Sequence, residues 1–380
     1  MSGLADTLAR LTALRAAGGA GASTGTGRLA PLDDFAPNPG GLAGWSYLPV
    51  ALAERPALVV VLHGCTQNAA GYDRGSGWSD WADRHGFALL FPEQQRQNNP
   101  NLCFNWFAPE DSRRGGGEAL SIRSMVAAMV ARHGIDPARI FVTGLSAGGA
   151  MASVLLATYP DVFAGGGIIA GLPFGSATSM PQAFERMRGQ GGPDAAGLTA
   201  LVRDASPHQG PWPIVSVWHG TGDATVAPSN AGAIVAQWRT LHGLSEAPTR
   251  SDRVDGYPHH LWADGEGRVL LEEYQVTGMG HGTPLDTAGA EGCGSSGAYM
   301  LETGISSTAH LCRFWGIADP DAPAQTIGDT ARAAPVTKDP AFLGTRASAM
   351  RVPADSTQTP AGGDIGRVIE AALRAGGLMR

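Results

Sequence analysis

A serine flanked by glycines is the most chemically informative feature of this sequence. The segment Gly144-Leu145-Ser146-Ala147-Gly148 stands between an apolar, β-branched run and a helical pattern. A sharp turn from strand to helix would expose the serine Oγ, and larger side chains at the flanking glycines would clash. The N-terminus of the following helix would stabilise negative charge near the serine. The pattern therefore predicts that Ser146 is a nucleophile; an ordinary glycine-rich turn is the alternative.

An acid and a base follow Ser146 at positions that would complete a hydrolytic triad. Asp223 comes just after the apolar run at 214–220, and His281 ends the loop after the run that begins at 269. Because the carboxyl ends of parallel strands meet at one edge of a sheet, both side chains are expected near Ser146. His281 would take the Ser146 proton and later donate it to the leaving alcohol, while Asp223 orients and stabilises the imidazole.

Other acids and histidines compete for these roles. Asp223 itself would otherwise be a turn residue whose carboxylate accepts from its own backbone. His219 is interpreted as shaping the Asp223 loop, and the segment YPHHLW at 257–262 is interpreted as a turn. Asp204, Asp252 and Asp255 are set aside because none of them directly follows so clear a strand. His259 and His260 are set aside because they lie in the segment interpreted as a turn.

Acyl transfer also needs two backbone N–H donors for the oxyanion of the tetrahedral intermediate. Ala147, the residue after the nucleophile, supplies one of them in this kind of turn. The other is expected from the loop LHGCTQ at 62–67, which follows an early apolar run. We assign this role to the Cys65 N–H, with Gly64 as the alternative. The Cys65 thiol has no nucleophilic role in this interpretation, because no elbow surrounds it.

Apolar runs and helical patterns alternate along the chain, which favours βαβ units and a mostly parallel sheet flanked by helices. The order serine, acid, histidine on such a sheet is that of the α/β-hydrolase fold. The predicted strands are 57–64, 87–94, 139–145, 165–175, 214–220 and 269–281, and the predicted helices are 117–134, 147–160 and 229–243.

Patterning predicts one catalytic domain with terminal additions. Residues 45–317 form the α/β domain, with 176–212 as a helical insertion over the active site. Residues 1–44 comprise an amphipathic helix and a flexible Gly/Ala/Ser/Thr linker. Residues 318–380 comprise a wrapping segment and a second amphipathic helix. The terminal helices are expected to pack on the main domain or on each other.

Composition excludes several classes of function. The 380 residues carry 27 basic and 34 acidic side chains, a net charge of −7, which argues against a nucleic-acid partner. Apolar stretches are too short for a membrane-spanning helix. The four cysteines lack metal-ligand spacing, and neither a metal nor an organic cofactor is implied. The oligomeric state stays open. Four buried thiols and disulfides in three pairings remain alternatives for Cys65, Cys103, Cys293 and Cys312.

Several motifs in consistent order over 45–316 resemble the polyhydroxybutyrate depolymerase family of esterases. They are LHGCTQ (62–67), CFNWF followed by PED (103–111), RRGGGEALSI (113–122), GLSAGGAMA (144–152), HGTGDATV (219–226) and GCGSSGAYMLETGISSTAHLCRFWG (292–316).

The resemblance implies an α/β-hydrolase that cleaves polyhydroxyalkanoates or their oligomers. It assigns Ser146, Asp223 and His281 to the triad and Cys65 to the oxyanion loop, and Trp106 becomes a wall of the substrate cleft. A core aromatic is the alternative for Trp106. The resemblance also favours two disulfides, Cys65–Cys103 and Cys293–Cys312, as in an exported protein. Loop-ordering roles are assigned to Asp111, Arg114 and Glu118.

Two departures from the secreted depolymerases of that family leave alternatives open. The first residues lack the contiguous apolar core of a Sec signal peptide, and no polymer-binding domain is recognised. Localisation is therefore expected to be extracellular from the family and the disulfides, or cytoplasmic. Soluble oligomers and other esters therefore stay open as substrates in place of crystalline polymer. An esterase that releases ferulate or acetate from plant polysaccharides is the closest enzymatic alternative. A dienelactone-hydrolase-like enzyme would have a cysteine in place of Ser146. The intact serine, aspartate and histidine argue against a non-catalytic binding protein.

Overall fold

A ten-stranded sheet organises the part of the chain that the computed structural model describes, residues 27–289 and 291–318. In chain order its strands are β1 (Ala30–Pro31), β2 (Ala43–Tyr47), β3 (Leu58–Leu62), β4 (Ala88–Glu93), β5 (Ile140–Leu145), β6 (Gly165–Ile169), β7 (Ile214–Gly220), β8 (Arg250–Val254), β9 (Tyr257–Ala263) and β10 (Val269–Val276). Across the sheet the order is β1-β2-β4-β3-β5-β6-β7-β10-β9-β8.

The six adjacent strands β4-β3-β5-β6-β7-β10 pair in parallel. The strands at the two edges, β2 and β1 on one side and β9 and β8 on the other, pair antiparallel. Every residue of β3, β5, β6 and β7 is buried. Strands covered by helices on both faces are mostly apolar rather than alternating, and these four segments show that composition, with few polar residues. The prediction of a mostly parallel α/β sheet is confirmed.

Helices flank the sheet and begin and end at recognisable signals. Asn68 caps the first helix by accepting from the Gly71 N–H, and left-handed Gly134 and Gly243 end two others. The described helices are α1 (Ala69–Ser76), α2 (Trp78–His85), α3 (Gly117–His133), α4 (Ala147–Thr158), α5 (Met180–Met187), α6 (Ala195–Asp204), α7 (Ser229–His242) and α8 (Ser307–Phe314).

The clearest difference from the sequence prediction lies at YPHHLW. This segment is part of strand β9, which forms a hairpin with β8, so the turn prediction was wrong. The turn is instead Asp255-Gly256, with φ of 48° and 86°. Asp-Gly between two strand-forming segments is a strong hairpin signal, because both residues tolerate positive φ.

The predicted insertion at 176–212 contains α5 and α6. Helix α6 packs on α7, where buried Gln237 donates to the Leu198 carbonyl at 2.9 Å and Thr199 Oγ1 donates to the Gln237 carbonyl at 3.1 Å. Coverage of the active site by this segment stays a prediction. The two predicted terminal helices lie outside the described residues. Within residues 27–289 and 291–318, no helix combines the length and the hydropathy of a membrane span.

Candidate active site

Ser146 lies at the junction of β5 and α4 with a strained backbone. Its φ is 57° and its ψ is −116°, a left-handed conformation that non-glycine residues rarely adopt. The Ser146 N–H donates to the Ile169 carbonyl at 2.9 Å, which ties the turn to the neighbouring strand β6. Strain of this kind persists only where the surroundings hold it, and it clusters at functional sites.

The glycines on both sides of Ser146 are required by close backbone approach. A Cβ at Gly144 would lie 2.5 Å from the Gly148 carbonyl carbon, and a Cβ at Gly148 would lie 2.4 Å from the Leu62 carbonyl oxygen. Real Cβ atoms do not approach backbone this closely. The second contact also brings the start of α4 against the end of β3, where the predicted oxyanion loop begins.

The structure brings the three predicted triad side chains together. His281 Nε2 lies 2.9 Å from Ser146 Oγ, and His281 Nδ1 lies 2.7 Å from Asp223 Oδ2. Because a carboxylate only accepts, Nδ1 carries the proton, and Nε2 is left free to accept from the serine hydroxyl. This is the arrangement in which an imidazole acts as general base.

Asp223 is held in a fixed orientation and an ionised state. Its Oδ1 accepts from the Thr225 and Val226 N–H groups at 2.8 and 2.9 Å. Burial alone would raise the pKa of the Asp223 carboxyl, but hydrogen bonds from His219 and His281 and the charge of His281 hold that pKa well below its ordinary value. Asp223 therefore carries the negative charge that orients the His281 ring.

The other predicted acids and histidines have different partners. His219 Nε2 contacts the Val226 carbonyl at 2.9 Å and lies 3.4 Å from Asp223 Oδ2, which agrees with a role in shaping that loop. Asp252 pairs with His259, and Asp255 with His310. The remaining candidates are Asp204, which ends α6, and His260, which bonds Ser251.

Hydrogen bonding distinguishes the two candidate amides of the oxyanion loop. The Gly64 N–H donates to Gln67 Oε1 at 2.8 Å and is not available to a substrate. In the described part of the chain, the Cys65 N–H has no acceptor. Ala147 is the first residue of α4, where a helix N–H has no intrahelical partner. Cys65 and Ala147 thus present free N–H donors on the two segments that meet at Ser146.

Comparison with known proteins decides the family. The family model described as "Esterase PHB depolymerase" matches residues 43–256. The chain belongs to this esterase family. The resemblance predicted from the motifs is confirmed, and so is the prediction that the protein is a carboxylic ester hydrolase of the α/β-hydrolase fold.

Similar proteins include esterases of several names. The chain is 47% identical over 291 residues to poly(3-hydroxyalkanoate) depolymerase C of Paucimonas lemoignei, covering 76% of this chain and 70% of that protein. It is 32% identical over 269 residues to feruloyl esterase B of Talaromyces stipitatus, covering 68% and 74%. The solved acetyl xylan esterase of Aspergillus awamori superposes with a TM-score of 0.62 at 26% identity, covering 67% of this chain and 94% of that one.

One of the two expected disulfides is formed in this esterase. Cys65 is bonded to Cys103, which ties the oxyanion loop to the 101–107 segment. The Cys293–Cys312 disulfide was wrongly expected, since both residues are free, buried thiols. The Cys293 sulfur instead accepts a hydrogen bond from Trp81 Nε1 at 2.9 Å.

Trp106 is only 7% exposed and belongs to the main apolar core. Its ring packs edge-on against Phe107, with centroids 5.6 Å apart. This burial fits the core alternative, and the role of cleft wall stays a prediction.

The loop-ordering charges have well-defined partners. Glu118 accepts from Asn105 and Gln94, Asp111 accepts from the Glu118 N–H at 3.2 Å, and Arg114 pairs with Asp161 at 2.6 Å. Among the described residues no group of three or more His, Cys, Asp or Glu side chains could hold a metal ion.

Sequence reasoning gave no separate role to Tyr299, Gln94 or His63. The Tyr299 ring lies beside His281, while Gln94 and His63 are bonded to each other behind the oxyanion loop. The available signals were that His63 and Gln94 directly follow strands β3 and β4. For Tyr299 the signal was its place inside the motif at 292–316.

Proposed function

We propose that the protein hydrolyses esters through an acyl-enzyme, with Ser146 as nucleophile, His281 as general base and Asp223 as the orienting acid. The observation that carries this proposal is the hydrogen bond of 2.9 Å between Ser146 Oγ and His281 Nε2, with Asp223 2.7 Å from the other ring nitrogen. A mechanism of this class needs nucleophile, base and orienter in one hydrogen-bonded chain.

In the first half-reaction, Ser146 Oγ attacks the ester carbonyl carbon while its proton passes to His281 Nε2. The carbonyl oxygen becomes an oxyanion, which accepts from the N–H groups of Cys65 and Ala147. Collapse expels the alcohol, which takes the proton from His281. In the second half-reaction water repeats these steps on the acyl-enzyme and releases the acid.

The substrate class that we propose is a short-chain polyhydroxyalkanoate, as polymer or as oligomers. Support comes from the 47% identity to a protein named poly(3-hydroxyalkanoate) depolymerase C over 76% of this chain. Each cleavage would leave one hydroxyl and one carboxylate end from the polyester.

A feruloyl or acetylxylan-type esterase is the second candidate. It is supported by the 32% identity to feruloyl esterase B and by the fold shared with an acetyl xylan esterase at a TM-score of 0.62. The same triad would serve either substrate, and the acyl and alcohol pockets would decide between them. A non-catalytic binding protein has no comparable support.

We further propose that the protein acts outside the cytoplasm. The Cys65–Cys103 disulfide supports this location, because disulfides persist in oxidising compartments and are rare in reducing ones.

The deciding experiment measures product release from amorphous polyhydroxybutyrate, p-nitrophenyl butyrate and methyl ferulate, in the wild type and in Ser146→Ala. Loss of butyrate and polymer hydrolysis in the variant supports the triad and the polyester substrate together. Butyrate and ferulate cleavage without polymer degradation keeps the triad and favours the second candidate. An active wild type matched by the variant overturns the nucleophile assignment.

A further inference from the structure

The oxyanion donor assigned to Cys65 depends on how one peptide plane is held. The Gly64 carbonyl accepts from His63 Nδ1 at 2.8 Å and from the Gln67 N–H at 3.3 Å. In a trans peptide the carbonyl and the following N–H point in opposite directions. Fixing the Gly64 carbonyl therefore fixes the direction of the Cys65 N–H.

The His63 ring is itself held by the backbone of Gln94. Its Nε2 accepts from the Gln94 N–H at 3.1 Å, so the imidazole proton resides on Nδ1 and is donated to Gly64. His63 follows β3 and Gln94 follows β4, and these two strands are parallel neighbours in the sheet. Burial of the ring lowers the pKa of His63 to about 4, which keeps the imidazole neutral and this tautomer in place.

The Gln94 side chain continues the connection to a buried carboxyl group, that of Glu118. Gln94 Nε2 donates to Glu118 Oε1 at 2.5 Å and to the Cys103 carbonyl at 3.0 Å. Both Gln94 and Glu118 are 1% exposed. Glu118 lies in the first turn of α3, outside the triad.

A second set of contacts joins Glu118 to the Cys65 amide. Glu118 accepts from the Asn105 N–H and from Asn105 Nδ2, each at 2.8 Å, and so holds the segment that carries Cys103. Cys103 is bonded to Cys65 itself. The Thr66 N–H adds a bond to the Asn101 carbonyl at 2.7 Å. Both routes end at one carboxyl group, whose two oxygens accept from three N–H donors.

We infer that His63, Gln94 and Glu118 form one positioning unit that fixes the Cys65 amide as an oxyanion donor. The inference rests on the proposed function, since it assumes that this amide faces the reacting carbonyl. These residues act through the loop and do not contact the substrate. Their loss is expected to weaken transition-state stabilisation more than substrate binding, because a small misplacement of a preorganised donor costs rate.

Substitutions can separate the contacts of the unit. Glu118→Gln replaces one acceptor oxygen by an NH₂ group that must face an N–H donor. His63→Gln can accept from Gln94 at the Nε2 position but loses the donor to Gly64, whereas His63→Asn keeps a donor at the Nδ1 position. Glu54→Gln, at an exposed site, is the matched control.

The experiment measures kcat and KM for p-nitrophenyl butyrate and the rate at which a phosphonate labels Ser146. Glu118→Gln and His63→Gln should each lower kcat and the labelling rate about 10-fold with KM within about 2-fold, and His63→Asn should recover most of the loss. The double variant should be no slower than the slower single variant, because both changes break one unit.

Several results would overturn the inference. They are rates equal to those of Glu54→Gln, changes confined to KM, equal losses in His63→Gln and His63→Asn, or multiplicative losses in the double variant. If Glu118→Gln fails to fold, the two His63 variants decide alone. An inactive wild type, or a Ser146→Ala variant as active as the wild type, rejects the proposed function instead.

Discussion

The Tyr299 ring stands edge-on to the imidazole of His281, with ring centroids 6.0 Å apart and planes at 84°. Tyr299 has a φ of 62°, so its backbone is strained as that of Ser146 is. The Tyr299 carbonyl accepts from the N–H of Thr283, two residues after His281, at 2.8 Å. Tyr299 thus supports the histidine through its ring and the histidine loop through its backbone.

Replacement of Tyr299 by Ala should lower kcat about 2- to 13-fold, which corresponds to an edge-to-face pair of about 0.5–1.5 kcal/mol. Tyr299→Phe keeps the ring and should stay within about 2-fold of the wild type. Steady-state kinetics on p-nitrophenyl butyrate measures both variants. Equal losses in the two would place the effect in the hydroxyl and not in the ring contact.

Asp223→Asn should lower kcat about 10⁴-fold while leaving the fold intact. An amide at this position can present its NH₂ group to His281 Nδ1, which favours the tautomer whose Nε2 carries a proton and cannot accept one from Ser146. Single-turnover kinetics on p-nitrophenyl butyrate measures the loss. A variant with more than a tenth of the wild-type rate would contradict the role assigned to Asp223.

The raised pKa of Glu118 predicts that the stability of the protein depends on pH. Burial and, next, the charge of Asp111 raise the pKa of Glu118 to about 8, against the hydrogen bonds from Asn105 and Gln94. A carboxyl with a raised pKa binds its proton more tightly in the folded state than in the unfolded state. Its contribution to stability is therefore complete below the unfolded pKa and is lost as pH rises through the folded pKa.

Between pH 5 and 8 the wild type should accordingly lose unfolding free energy relative to Glu118→Gln, with a limiting slope on the order of 1.4 kcal/mol per pH unit. Urea unfolding of both proteins across this range measures the difference. Parallel curves would mean that Glu118 titrates alike in the folded and unfolded states.

The thiol content of the protein tests the disulfide assignment. Denatured but unreduced protein should show two reactive thiols, those of Cys293 and Cys312, and the native protein should show none because both are buried. Four reactive thiols would show that Cys65 and Cys103 are not bonded. An absence of reactive thiols would show that Cys293 and Cys312 form a second disulfide. Removal of the first bond by Cys65→Ser with Cys103→Ser should cost about 3–4 kcal/mol of unfolding free energy.

Much of the fold could be predicted because buried parallel strands have a simple sequence signature. Segments such as Leu58–Leu62 are apolar at every position since helices cover both faces of the sheet. The β8–β9 hairpin lacks this signature, because β8 is mostly exposed and β9 is only partly buried. Its polar, histidine-containing strands resembled a loop, although Asp255-Gly256 marked the turn.

The candidate site divides in the same way. Ser146, Asp223 and His281 each follow a recognisable strand, and chain order fixes their sequence of roles. The positioning unit has no such spacing rule. Gln94 lies 31 residues from His63 and 24 from Glu118. His63 and Gln94 meet because β3 and β4 are neighbours in the sheet, and Glu118 comes from helix α3.

Gly148, two residues after the nucleophile, should tolerate no side chain. In Gly148→Ala the new Cβ would lie 2.4 Å from the Leu62 carbonyl oxygen and 2.5 Å from that of His63. Both contacts are to backbone, so α4 and the oxyanion loop would have to separate, which should lower kcat by about 10²-fold or more.

Gly232→Ala is the matched control, since a Cβ at this position in α7 meets nothing within 4 Å. The control should raise the unfolding free energy by about 0.5–1 kcal/mol and leave kcat unchanged. Kinetics and urea unfolding of the two variants measure these effects, and a fully active Gly148→Ala would show that the loop can yield without loss of the oxyanion donors.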